Sequence, residues 1–168
     1  GGGSPRGHIV LVAGPPGSLK STFAYRVLYH EAKEHGASSL YLSMEQSRAS
    51  LVAQMASLGM DPDRVKGVHI IDVRALRKEI EDLREQPRWL LGLRRQLGRY
   101  KEEMGCDLLA IDSLDALYAL TPMENPRNEV FHFFEELREL NATTFLVSEM
   151  ARDSVRMAHY GVEEFLAD

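Results

Sequence analysis

The sequence predicts an α/β fold, a mostly parallel β-sheet with helices on both faces. Three observations carry that expectation. The runs "HIVLVAG", "SSLYLSM", "CDLLAIDS" and "TTFLVSEM" are nearly continuous in apolar residues rather than alternating, the pattern of strands buried on both sides. Longer stretches with apolar residues at helical spacing separate them, so strand and helix alternate along the chain. The runs also end on glycine or on a carboxylate, at Gly14, Glu45 and Asp112, where open parallel sheets receive their ligands.

Each element follows in order. Gly7 to Gly14 is a short β-branched run closing on glycine, a buried strand. From Lys20 to His35, Phe23, Ala24, Val27, Leu28 and Ala32 recur at helical spacing, and Gly36 supplies the stop. "SSLYLSM" is a second strand that closes on Glu45, and Ser47 to Leu58 fits a helix terminated by Gly59. "GVHIIDV" is a third strand, followed by a charged stretch that Pro87 interrupts. Arg88 to Met104 reads as a helix, "CDLLAIDS" as a strand ending on Asp112, Asn128 to Leu140 as an amphipathic helix and "TTFLVSEM" as another buried strand. There is no internal repeat, low-complexity tract or interdomain linker. Residues 1–7 read as a glycine-rich linker or cloning remnant with a lead-in, and residues 8–168 as a single domain.

Composition bounds the function classes. With 168 residues, 44% hydrophobic and 27% charged, the chain is an ordinary globular domain. A formal net charge of -5 supplies no global basic field, so constitutive coating of nucleic acid is not favoured, although a local basic patch would suffice for contact. Cys106 is the sole cysteine, which excludes a disulfide framework and a cysteine-based zinc site. No apolar run approaches the roughly 20 residues of a membrane-spanning helix, and "HIVLVAG" is too short for a secretion signal. The expected address is cytoplasmic, with no membrane partner.

"GPPGSLKST", from Gly14 to Thr22, nearly matches the phosphate-loop pattern G-x-x-x-x-G-K-[ST]. Gly14, Lys20 and Ser21 are in register, and Leu19 stands where the second glycine belongs. The backbone N–H groups of the Gly14–Ser18 loop and the positive end of the following helix dipole would surround phosphate oxygens. Lys20 would reach the β- and γ-phosphates, and the Ser21 hydroxyl would ligate Mg²⁺. The candidate ATP-binding set is thus Gly14, Pro16, Gly17, Ser18, Leu19, Lys20, Ser21 and Thr22. The plain alternative is a strand–helix turn with a solvated lysine. Leucine costs little at position 19 if φ is negative and is strained if φ is positive.

The other candidates lie at strand ends. Asp112 terminates "LLAI" as a Walker B acid would, holding Mg²⁺ directly or through water; alone, such a residue is more often a cap. Glu45 faces the same crevice and could activate the water that attacks the γ-phosphate, or merely cap the next helix. Gln46 could hydrogen-bond that water but not act as a base. Ser148 and Glu149 could sense the γ-phosphate, or simply begin a loop.

The order of "GPPGSLKST", "YLSMEQS", "SLGMD", "LLAIDSLDAL", "TTFLVSEM" and "HYGVEEFLAD" resembles the KaiC-like branch of the RecA-type P-loop ATPases, from about His8 to Asp168. "YGVEEFLAD" is the most specific piece, because wider relatives share the earlier motifs and not this one. The resemblance implies a RecA-like core, ATP as substrate, Mg²⁺ as cofactor and a homo-oligomeric ring, usually a hexamer, with ATP at subunit interfaces. Carried over by position, it makes Lys20 and Ser21 the phosphate and magnesium residues, Asp112 the Walker B acid and Glu45 the catalytic glutamate. Departures accompany it. Leu19 replaces the loop glycine, and the acid pair after the second strand is Glu45–Gln46, one carboxylate short. The family continues, past the position of Asp168, into strands whose basic residues reach the neighbour's ATP, and without them charge stabilisation in trans would be lost. Nor is there an assignable Ser/Thr autophosphorylation pair, so a clock function does not carry over. Two other readings stay open: a nucleotide-dependent switch module with little hydrolysis, and a recombinase- or helicase-related ATPase acting on DNA.

Several features are read plainly. "RWLLGLRRQLGRYK" is basic and amphipathic, and is expected to pack its Leu/Trp face on the sheet rather than to bind a surface. His30 and His35 are five apart, not the four of a helical zinc pair. Arg152 and Arg156, after "LVSEM", are candidates for a pore or neighbour contact.

Overall fold

A computed structural model describes residues 5–81, 89–120, 123–150 and 158–168. Arg152, Arg156, Pro87 and Arg88 lie outside the described residues. Five strands, β1 (Ile9–Gly14), β2 (Ser39–Ser43), β3 (Val68–Asp72), β4 (Leu108–Asp112) and β5 (Thr143–Glu149), form one sheet in the order β1-β5-β4-β2-β3. Every pairing is parallel, as the continuous apolar runs predict. The helices are α1 (Lys20–His35), α2 (Arg48–Ser57), α3 (Val73–Glu81), α4 (Trp89–Met104), α5 (Leu114–Ala119), α6 (Pro126–Glu139) and α7 (Glu163–Leu166).

Side-chain alternation along the strands divides the core in two. Tyr41 of β2, Ala110 of β4, and Phe145 and Val147 of β5 pack with Tyr25 and Leu28 of α1 and with Leu51 and Met55 of α2. Their odd-and-even neighbours Leu40, Leu42, Leu109, Ile111 and Leu146 turn to the other face, against α3, α4, α5 and α6. Asp112 shares the parity of Ala110, and Ser43 that of Tyr41. The polar strand ends therefore emerge on the α1 side of the sheet. This parity positions the site.

Helix boundaries follow their signals. α1 ends at Gly36, whose φ of 67° accommodates a left-handed cap that bonds back to Ala32 and Glu31. Ser47 caps α2 by accepting the Ser50 N–H at 3.2 Å. On α4, Leu90, Leu93, Leu97 and Tyr100 are buried, and Arg94 pairs with Glu136 and Glu139 of α6, so this helix packs on the sheet as expected. Helices α3, α5 and α7 are not among the elements expected from the sequence. Helix α5 has six residues and follows β4 directly, too short for a helical period to register.

"HYGVEEFLAD" closes onto the start of the sheet. The buried Glu163 carboxylate accepts the N–H groups of Tyr160 and Val162, and Asp168 bonds Ile9 through its side chain and its N–H, each at 2.8 Å. Upstream, the Pro5 carbonyl accepts from His8 N–H and Thr143 Oγ1, so the lead-in is docked from Pro5 onward.

Candidate functional site

The loop after β1 is built around two glycines and a turn. Gly14 is buried, and a Cβ there would lie 2.7 Å from Ser18 Oγ. Gly17 has a φ of 79°, and Ser18 N–H closes the turn on the Pro15 carbonyl at 3.2 Å. Leu19 answers the question its position raised: φ is 64° and ψ is 23°, left-handed backbone in a residue with a side chain. Such a conformation costs an L-residue about 1–2 kcal/mol. The leucine side chain is 70% exposed, so it stands in solvent.

Leu19 is also the N-cap of α1, and a leucine has no oxygen to accept the helix's first N–H groups. The amides of Lys20, Ser21 and Thr22 thus open a 16-residue helix without a side-chain acceptor, the arrangement that suits an anion. Lys20 Nζ donates to the Pro15 carbonyl at 2.9 Å, folded back along the same loop.

Asp112 comes to this helix start from 91 positions away. Ser21 Oγ donates to its Oδ1 at 3.1 Å, and the Tyr41 hydroxyl donates to its Oδ2 at 2.5 Å. Only 9% of Asp112 is exposed. Burial pushes its carboxyl above the usual range and the Glu45 charge adds to this, against the hydrogen bonds from Tyr41 and Ser21 and the Lys20 charge. Burial and the Asp112 charge likewise push the Tyr41 phenol up. The capping alternative for Asp112 fails, because Ser113 caps α5 by accepting the Ala116 N–H at 3.2 Å.

Glu45 is exposed beyond the end of β2, and Ser113 Oγ donates to its Oε1 at 2.5 Å. It does not cap α2, since Ser47 does. Gln46 lends its backbone carbonyl to Ser43 Oγ, and its side-chain Oε1 is buried with no hydrogen-bond partner among the described residues. Ser148 and Glu149 are drawn elsewhere. The Ser148 hydroxyl and the Glu149 N–H both donate to Asp115 Oδ2, at 3.3 and 2.7 Å, while Glu149 itself is exposed.

Sequence reasoning named neither Tyr41, Ser113 nor Asp115. For Tyr41 a signal existed: a tyrosine inside a fully buried strand needs a partner for its hydroxyl, and it shares parity with Glu45. Ser113 and Asp115 sit beside Asp112 in "DSLD", and no pattern of residue types marks what they hold.

A family model described as "ATPase: KaiC" matches residues 1–168. The chain is 28% identical over 182 aligned residues to the circadian clock oscillator protein KaiC of Prochlorococcus marinus, covering 99% of this chain and 33% of that protein. It is 26% identical to the circadian clock protein KaiC3 of Synechocystis, covering 99% of this chain and 34% of that one. The crystal structure of a KaiC-like protein from the archaeon Pyrococcus horikoshii superposes with a TM-score of 0.79 at 27% identity, covering 99% of this chain and 70% of the other. The chain spans about a third of the length of these curated relatives.

Proposed function

The chain belongs to the KaiC family of ATPases, and on that footing we propose that it binds Mg·ATP at the Gly14–Thr22 loop and hydrolyses it with Glu45. One observation carries the reading above the others: the phosphate-loop serine Ser21 and the strand-end acid Asp112 meet at 3.1 Å, at the uncapped start of α1. A strand–helix turn with a solvated lysine has no need of a buried carboxylate beside it.

In this reading the amides from Gly17 to Thr22 and the Lys20 ammonium bind the phosphates. Ser21 and Asp112 suit Mg²⁺, because a hydroxyl and a carboxylate are hard oxygen donors and leave positions for phosphate oxygens and water. Bound there, the metal supplies charge neutralisation at the β- and γ-phosphates. Glu45, held at Oε1 by Ser113, keeps its second oxygen for the attacking water. Gln46, whose Oε1 is buried, would need its side chain to turn outward to meet that water, and Ser148 and Glu149 would respond to the γ-phosphate through Asp115. Assembly into a homo-oligomeric ring is proposed from the family alone.

A second reading is a switch module that binds nucleotide and turns over slowly. The left-handed Leu19 favours it, since a strained loop residue holds the phosphate cradle in one shape at a cost. Mg·ATP binding and steady-state hydrolysis in the same preparation separate the two, with Lys20→Ala, Glu45→Gln and Leu19→Gly alongside. Turnover lost in Glu45→Gln with binding kept supports hydrolysis. Tight binding without turnover in the wild type supports the switch, and no binding in wild type or Lys20→Ala refutes both.

A further inference from the structure

The Asp112 carboxylate is held from two sides. Its Oδ1 faces Ser21 of the phosphate loop, and its Oδ2 faces inward to Tyr41. Its backbone is fixed as well, because the Asp112 carbonyl accepts the Met44 N–H at 2.6 Å. Tyr41 is fully buried on the α1 face of β2, opposite Ala110 and one same-face position before the Ser43–Asp112 pair. The Tyr25 ring packs edge-on against it, with centroids 5.5 Å apart and planes at 65°. Its hydroxyl also reaches the Ser21 carbonyl at 3.4 Å.

We propose that Tyr41 is a positioning residue for the magnesium site, anchoring Oδ2 of Asp112 so that Oδ1 is presented on the Ser21 side. The inference rests on the proposed function and adds to it a residue that no phosphate-loop or strand-end pattern contains. The physical ground is rotational. A carboxylate with only its backbone fixed still turns about its own bonds, and a short bond from a buried, ring-locked phenol removes that freedom. Tyr41 is fully buried, so its hydroxyl is held by the packing around its ring rather than by solvent.

The test is Tyr41→Phe, read by the affinity of a fluorescent, non-hydrolysable ATP analogue across an Mg²⁺ series and in EDTA. Loss of an outer partner weakens metal affinity by about 10–100-fold, so half-saturating Mg²⁺ should rise about tenfold or more while affinity in EDTA stays within about twofold. In an Asp112→Asn background the same substitution should change neither value, because Tyr41 acts through Asp112. If Tyr41→Phe does not fold, the wild type still decides: its protected Tyr41 hydroxyl proton should persist in low-temperature proton NMR when Mg²⁺ and the analogue are added. An unchanged Mg²⁺ dependence, an equal loss in EDTA, or disappearance of that proton on adding Mg²⁺ would overturn the proposal. A wild type that never binds the analogue would instead overturn the proposed function, and the role of Tyr41 with it.

Discussion

Leu19 lends itself to a test that needs no nucleotide. At φ 64° and ψ 23° it occupies left-handed backbone, which costs an L-residue about 1–2 kcal/mol and glycine almost nothing. Its side chain is 70% exposed, so less than a third of a leucine's burial is at stake. Full burial is worth about 1.5–3 kcal/mol, which puts that remainder at about 0.5–1 kcal/mol. Leu19→Ala loses the burial and keeps the strain. Leu19→Gly loses both, less the greater unfolded-chain entropy of glycine, which takes back about 0.5–1 kcal/mol. The glycine variant should therefore be more stable than the alanine variant by roughly 0.5–1 kcal/mol, and close to wild type. Urea unfolding of the three proteins in EDTA, fitted with a common slope, measures the gap as a shift in midpoint. An alanine variant as stable as the glycine variant would refute the left-handed assignment and the strain argument built on it.

Three further outcomes follow from the same geometry. Gly14→Ala places a Cβ 2.7 Å from Ser18 Oγ with its other neighbours at 3.5 Å or more, so the hydroxyl should turn aside, the loop backbone should hold, and calorimetry should find ATP-analogue affinity close to wild type. Asp72 accepts the Arg48, Arg74 and Ala75 N–H groups, and the bond from Arg48 leads in holding its carboxyl below the usual range. A depressed pKa gives stability that is fully present above the unfolded value, near pH 4, and lost as pH falls through the lower folded value. Asp72→Ala should thus cost about 1 kcal/mol at pH 7, with the gap to wild type narrowing as pH falls below the unfolded value, in urea curves at a series of pH values. Ser113→Ala removes the α5 cap and the partner of Glu45 together, so it should cost about 1 kcal/mol in urea and lower turnover with ATP affinity kept.

Much of the fold was legible because burial on both faces writes itself as continuous apolar runs. α1 was bounded correctly from "GSLK" to Gly36, since a helical period and a glycine stop are both local signals. The ends of β1, β4 and β5 could be placed because each run stops at a polar residue or glycine, whereas β2 ends at Ser43, two residues before the expected Glu45. Strand order was not legible. Nothing in "GVHIIDV" says that β3 lies at the outer edge beside β2, since that depends on which crossover packs best and not on any one segment. The sign of φ at Leu19 was equally out of reach, because the residue type argues for one backbone region and the loop imposes another. Candidate site residues could be named when they end a run. Their partners could not, because Tyr41 to Asp112 spans 71 positions and Ser113 to Glu45 spans 68.

The register of β2 against β4 explains why those partners carry the adjustment of the site. Ser43 pairs with Asp112 and Tyr41 with Ala110, so Tyr41, Ser43, Ala110 and Asp112 share the α1 face. A one-residue slip of β4 would turn Asp112 to the opposite face and drive Ile111 toward Tyr25 and Leu28. Such a change would empty one core cluster and crowd the other, because Leu40, Leu42, Leu109 and Ile111 fill the far side. The position of Asp112 is thus tied to the packing of the whole sheet and cannot be tuned by small steps. What can be tuned is the angle of its carboxylate, held by the Tyr41 and Ser21 hydroxyls, and that of Glu45, held by the Ser113 hydroxyl. Conservative changes at Tyr41 and Ser113 should then alter metal and water handling while leaving strand order and register intact, a separation that changes within β4 itself cannot achieve.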